Sequence, residues 1–431
     1  MSFLFGRRKS SIKDSEDNKS NSIQNNEIEI GSYQPLNPFT EIILLPCFNS
    51  IITQIYVLRD KKRFIVGDDS GNLTVWDSNS GTKLTEMRYH QQSINSIVEF
   101  NHFDKSILIV SSNDKSITSW DMHSYKLTNI IKLDSSAYRI FLSCNMSNLF
   151  IVGGLNLKIY DSNLSLLDEF SRETKENSIR HILLTKKEKI VVATNTDLEF
   201  YVLITVNKKL ESKSTSEFSH FRVKELKKHL NCHYDSILCL DNLNDSYFAS
   251  GSTDGQIKIW QSDTLNILYE LRPFEDISLN DNFSKLNFNS ICCVKSFNER
   301  YLVIPSGLNI SIFDCVSNEF ACRIINAHNR SKLTDVLILE NQIIVTSSEN
   351  GSIRIWKFEE ILDESSLLKV NLELVGECLG HSSSITFLRT ISKNEIISTG
   401  YDKMIIVWKD SVKANNDRDN EINQIISSFR S

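Results

Sequence analysis

Tyr247-Phe-Ala-Ser-Gly-Ser-Thr-Asp-Gly-Gln-Ile-Lys-Ile-Trp260 decides the fold. It reads as two short strands around an Asp-Gly turn: an apolar stretch ending in small hydroxyl residues, the turn, then alternating Ile-Lys-Ile closing on an indole. The pattern recurs along the chain. Gly71-Asn-Leu-Thr-Val-Trp76, Ser116-Ile-Thr-Ser-Trp120, Gly351-Ser-Ile-Arg-Ile-Trp356 and Met404-Ile-Ile-Val-Trp408 carry the other tryptophans. Leu157-Lys-Ile-Tyr160, Leu198-Glu-Phe-Tyr201 and Ile310-Ser-Ile-Phe313 have the same shape with another aromatic in place of Trp. Anchors at 76, 120, 160, 201, 260, 313, 356 and 408 define eight units, a period that means a repeat array. A length of 431 residues would otherwise suggest about three domains.

Fixed offsets give the repeat a physical meaning. Asp254, Ser250 and His233 precede Trp260 by six, ten and 27 residues, and Asp402, Ser398 and His381 precede Trp408 by the same intervals. Unit seven keeps the frame with Asn350, Thr346 and His328, the His one residue further away, whereas unit two has Asp114 and a more distant His90 but Val110 in the hydroxyl position. A buried indole N–H needs an acceptor, and a hydroxyl, an imidazole and a turn carboxylate can pass the bond outward, each link contributing ~1 kcal/mol. These motifs resemble those of the WD-repeat β-propeller family. The resemblance implies an all-β, eight-bladed WD-repeat β-propeller in which the four residues are a structural network.

The chain turns polar after Trp408, leaving the last blade without an outer strand, while Glu41-Ile-Ile-Leu-Leu-Pro-Cys-Phe48 is an apolar strand with no partner of its own. Residues 41–48 are therefore expected to close the ring, with Pro46 tolerated on an outer edge. The propeller is expected over 35–410, with a disordered, polar 1–34 before it and a linker and amphipathic helix in 411–431. Within that tail Ile422, Ile425, Ile426 and Phe429 recur at i, i+3, i+4 and i+7. A helix of about twelve residues is marginal alone, so this face needs either the propeller or a partner to cover it. Long connections are expected at 206–231, 263–288 and 357–371, the first with a short helix at 222–230.

The composition narrows the function. A net charge of −6 argues against a nucleic-acid surface, and no apolar run reaches membrane-spanning length. The start of the chain lacks the pattern of a signal peptide, so a cytoplasmic location is expected. The four repeat histidines fall one per blade and do not converge on a metal, the nine cysteines lack zinc spacing, and no phosphate-binding loop is present. No nucleophile, base and acid set is recognisable, so neither an enzyme nor a cofactor is expected.

A closer resemblance, to the WD repeat-containing protein 41 family, lies in Asn37-Pro-Phe-Thr-Glu41, in Ser348-Glu-Asn-Gly-Ser-Ile-Arg-Ile-Trp356, in Leu372-Glu-Leu-Val-Gly376 with Leu379-Gly-His-Ser-Ser-Ser-Ile385, and in Ile405-Ile-Val-Trp-Lys409. It implies a non-catalytic scaffold bound to a DENN-domain protein heterodimer and associated with small-GTPase regulation, autophagy and lysosomal nutrient response. The DENN contacts map onto Ile42, Ile43, Leu44 and Leu45 of the closing strand and onto Ile422, Ile425, Ile426 and Phe429 of the tail. Animal members carry a long Gly-rich insertion after the seventh Trp strand that engages a lysosomal transporter. Here Lys357–Lys369 is short and acidic, so the resemblance does not carry that docking over. The alternative, a substrate receptor of a cullin-type ubiquitin ligase or another WD-repeat adaptor, would have Trp-Asp-x-Arg where this chain has Trp76-Asp-Ser-Asn and Trp120-Asp-Met-His. A lipid-binding propeller would have Phe-Arg-Arg-Gly, and the nearest string is Phe221-Arg-Val-Lys.

Overall fold

The computed structural model describes residues 34–410 except 35, 46–48, 103–104, 143–148, 162, 173–176, 208–218, 275–288, 340–341, 363–367 and 394. Among the described residues, 32 strands form eight four-stranded antiparallel sheets. These are blade 1 (52–88), blade 2 (94–132), blade 3 (139–170), blade 4 (181–229), blade 5 (237–271), blade 6 (295–324), blade 7 (333–379) and blade 8 (385–409 with 41–44). The first strand of each blade touches the first strands of both neighbours, and the round closes from blade 8 back to blade 1. Eight blades around one channel follow. The tail residues Ile422, Ile425, Ile426 and Phe429, and the residues from 1 to 33, lie outside the described residues.

The apolar core is divided among the interfaces rather than gathered in one mass. Each junction between consecutive blades holds its own buried cluster, and each anchor aromatic packs into the junction with the preceding blade. Trp76 lies between blades 8 and 1, Trp120 between 1 and 2, Trp260 between 4 and 5, and Trp408 between 7 and 8. Tyr160, Tyr201, Phe313 and Trp356 fill the corresponding places at the other four junctions. A blade alone would leave both of its faces wet, which is why the repeat needs its neighbours.

The closing strand is Glu41–Leu44, antiparallel to Ile405–Lys409 with Ile42 opposite Trp408, and Leu45 N–H extends the ladder to Ile405 O at 3.0 Å. Residues 46–48, including Pro46, lie outside the described residues. The segment before the strand is also held. Gln34 Oε1 accepts from Glu377 N at 2.8 Å and from Asn37 Nδ2 at 2.9 Å, which fixes Gln34 against blade 7. Asn37 sits so close to Gly376 that a Cβ there would meet its Cγ at 2.7 Å, so glycine gives this clasp room.

Two long connections are corrected. Residues 222–230 are not helical: strand Ser219–His229 pairs with Leu198–Asn207 as an extended hairpin of blade 4. The Lys, Glu and Leu content favours helix locally, but nine residues make a weak helix, and pairing satisfies the same backbone groups while burying Val223. His229 then meets Trp260 edge-on at 5.0 Å and bonds Leu265 O at 2.9 Å, tying the hairpin to blade 5. The connection at 357–371 is likewise mostly strand, since Ser352–Leu362 and Leu368–Leu379 form the long hairpin of blade 7. It folds back on blade 6, where Phe358 packs 4.7 Å from Phe297 and Glu360 accepts from Tyr301 Oη at 2.8 Å.

Candidate interaction site and its supporting network

In blade 8, Trp408 Nε1 donates to Ser398 Oγ at 2.8 Å, Ser398 Oγ lies 2.8 Å from His381 Nε2, and His381 Nδ1 lies 2.9 Å from Asp402 Oδ2. Donor counting orients the chain. The indole N–H occupies the hydroxyl oxygen, the hydroxyl proton goes to Nε2, and Nδ1–H goes to the carboxylate. Blade 5 repeats it: Trp260 Nε1 to Ser250 Oγ is 2.9 Å and Ser250 Oγ to His233 Nε2 is 2.8 Å, with a looser 3.5 Å from His233 Nδ1 to Asp254. In blade 7, Thr346 accepts from Trp356 and meets His328 Nε2, both at 2.8 Å. There Ser352 Oγ meets His328 Nδ1, and Asn350 Oδ1 joins by accepting from Ser352 N at 2.9 Å and from Ser348 Oγ.

Blade 2 corrects the expectation of a missing hydroxyl. Trp120 Nε1 donates to Thr118 Oγ1 at 2.8 Å, His90 Nε2 lies 2.8 Å from the same oxygen, and His90 Nδ1 lies 2.9 Å from Asp114. Thr118 is the cross-strand partner of Val110, just as Lys258 faces Ser250 and Ile406 faces Ser398. The hydroxyl has moved across one strand pair and still reaches the indole. Blade 1 makes the same exchange, with Thr74 opposite Val66 and 2.8 Å from Trp76 Nε1. A threonine two residues before the Trp, facing a valine ten before it, is the signal that the fixed-offset reading missed. Thr118→Val is expected to cost ~2–3 kcal/mol, because it strands two buried partners, while Val110→Thr in that background restores part of it. Urea unfolding of the three proteins checks this.

Burial holds His90, His328 and His381 below their ordinary 6.5, in His90 and His381 despite an aspartate partner. The carboxyl of Asp254 would be raised by burial, yet the nearby His233 ring and hydrogen bonds from two backbone N–H groups bring it down to about 2. The signs are fixed by linkage. A histidine with a depressed folded pKa stabilises fully above 6.5 and loses that contribution as pH falls below it. A depressed aspartate contributes above 3.8 and loses its contribution only as pH falls toward 2. The melting temperature should therefore be level above pH 7 and fall from about pH 6.5 downward. A melting temperature level down to pH 5 would contradict it.

The closing strand presents the candidate contact face. Ile42 and Leu44 are 49% and 60% exposed, on the outermost strand of blade 8. Their neighbours face inward: Leu45 is buried and Ile43 packs with it at the junction of blades 8 and 1. Of Ile42, Ile43, Leu44 and Leu45, the exposed pair is Ile42 and Leu44, Ile43 being half-buried and Leu45 buried. The chain leaves the last blade beside this strand, with Lys409 O accepting from Thr40 N at 3.0 Å. No group of three His, Cys, Asp or Glu that could hold a metal occurs among the described residues. No helix among the described residues is long and apolar enough to cross a membrane.

A β-propeller family profile, WDR41, matches residues 10–366, and a WD domain, G-beta repeat profile matches 372–409. The chain belongs to the WDR41 β-propeller family. It is 24% identical over 426 residues to WD repeat-containing protein 41 of Mus musculus and equally to that of Homo sapiens, covering 88% of this chain and 89% of either relative. Autophagy-related protein 16 of Arabidopsis thaliana is 25% identical over 224 residues, 51% of this chain and 41% of that protein. Among solved structures, the computationally designed Ika8 protein superposes with a TM-score of 0.61 at 17% identity, covering 85% of this chain and 98% of that one, a likeness of fold alone. The family and the propeller make the chain a WD-repeat scaffold.

Proposed function

We propose that this chain is the non-catalytic scaffold subunit of a complex containing a DENN-domain protein heterodimer, serving small-GTPase regulation, autophagy and lysosomal nutrient response. It acts in the cytoplasm, with recruitment to lysosomes. The observation that carries the reading is the closing strand, which exposes Ile42 and Leu44 on the rim beside the point where the chain leaves the last blade. An edge strand offers unpaired backbone groups and alternate side-chain anchors, the chemistry by which strands are recognised. Ile422, Ile425, Ile426 and Phe429 follow in sequence, at a spacing that would give a second apolar face on a helix. Membership of the WDR41 family supports the choice of partner.

The test is affinity purification with mass spectrometry of the full chain, an Ile42→Ser/Leu44→Ser variant, and a chain lacking residues 419–431. A DENN-domain pair is expected with the full chain and lost from both variants, with melting temperatures within about 2 °C of the parent. Retention of the pair by both variants, or its absence from the full chain, overturns the reading.

A further inference from the structure

The innermost strands bring charged side chains to two levels of the central channel, and cross-strand register defines them. Arg139, His181 and Asp335 pair with Gly153, Ala193 and Ser347, which pair in turn with the third-strand residues three before each anchor. Asp241, Lys295 and Arg389 connect through Ala249, Val303 and Ile397 to the residues one before the anchors. The residues following Arg139 and His181, namely Ile140 and Ile182, turn into the interblade cores.

Four of the six charges and dipoles are matched. Arg389 Nη1 donates to Asp335 Oδ2 at 3.0 Å, and Lys295 Nζ donates to Asp241 Oδ2 at 2.8 Å. Arg139 has no acceptor for its guanidinium among the described residues. Burial and the charge of Arg389, on the inner strand of blade 8, both depress it. Arg139 and His181 stand at one level on neighbouring inner strands, on the side of those strands away from the core-facing Ile140 and Ile182. His181 is lowered to about 4 by burial, Arg139 and Arg180, which leaves it neutral at pH 7 with a ring N–H to donate. A half-buried cation without a counter-charge is unfavourable, and a planar guanidinium beside a neutral donor suits an oxyanion.

We propose that the channel at Arg139 and His181, nearest the turns joining second and third strands, binds a small oxyanion, a phosphate or carboxylate group. This site lies away from the rim strand and is independent of the complex proposed above.

Melting temperatures of the full chain and of Arg139→Met, with sodium phosphate, acetate or chloride at equal ionic strength, test the site. The parent should rise by about 2–4 °C in saturating phosphate or acetate over chloride, and Arg139→Met should not. A response to phosphate alone assigns a phosphate group, and a response to acetate alone a carboxylate. In chloride, Arg139→Met should melt at or above the parent temperature, since it removes an uncompensated charge. No anion-specific rise, an equal rise in the variant, or a lower melting temperature of the variant in chloride overturns the proposal, the last because it reveals an acceptor within the chain.

Discussion

Arg172→Ala is expected to destabilise the propeller by ~3–5 kcal/mol, far more than a surface arginine would. Arg172 and Glu199 side chains are both 0% exposed, joined by Nε to Oε2 at 2.6 Å and Nη2 to Oε1 at 3.0 Å. The remaining guanidinium nitrogen donates to Leu155 O at 3.2 Å and Asn177 O at 2.6 Å, linking the end of blade 3 to blade 4. Tyr201 Oη donates to Glu199 Oε2 at 2.5 Å. Glu199 lies two residues before its anchor and opposite Val192, the place Thr118 takes in blade 2 opposite Val110. Blade 4 has thus exchanged the neutral hydroxyl and histidine for an ion pair. Burial alone would raise the Glu199 carboxyl, but Arg172 and Tyr201 hold it below the usual range, so deleting Arg172 leaves a buried carboxyl that must either stay charged without its partner or take up a proton. Glu199→Ala should cost a comparable amount, leaving Tyr201 Oη without its acceptor. Arg172→Met/Glu199→Leu should recover most of the loss, because replacing both charges removes the stranded one. Equilibrium urea unfolding decides it, and a loss below about 1 kcal/mol for Arg172→Ala would show that the pair is not structural.

Phe39→Ala combined with Leu45→Ala should abolish cooperative folding, although both residues lie at the edge of the sequence pattern. Phe39 is buried at the junction of blades 7 and 8, and Leu45 at the junction of blades 8 and 1. One short segment therefore seals two cores. Singly, the changes should cost about 3–5 and 2–5 kcal/mol. Because the cores are separate, the costs should add, and their sum approaches the whole stability of an ordinary domain. Ile42→Ser and Leu44→Ser, on the exposed face of the same strand, should each cost less than about 0.5 kcal/mol. Circular dichroism melts of the four single variants and the double variant check the contrast. A double variant that melts cooperatively near the parent temperature would mean the ring closes without this segment.

The repeat itself was legible from residues 71 to 408, because strand, turn and aromatic anchor are local patterns that need no partner to be recognised. Closure was legible too: blade 8 lacked an outer strand and 41–48 lacked an inner one, and the two deficits match. The tetrads of blades 5 and 8 followed from spacing because all four members keep fixed offsets from the Trp.

Only the tertiary structure decided the rest. The acceptor in blades 1 and 2 sits on a different strand, since facing residues of a pair are equally near the indole and spacing cannot choose between them. Arg172 meets Glu199 only when two blades pack, across a junction that neither residue's local pattern describes. Strand 219–229 formed because pairing with 198–207 outweighed a local preference for helix. Period-two alternation separated Ile42 and Leu44 from Ile43 and Leu45, but which face the next blade would cover depended on the closed ring. A local pattern can be read along one strand; burial and hydrogen-bond partners belong to surfaces that exist only once eight strands-of-four have met.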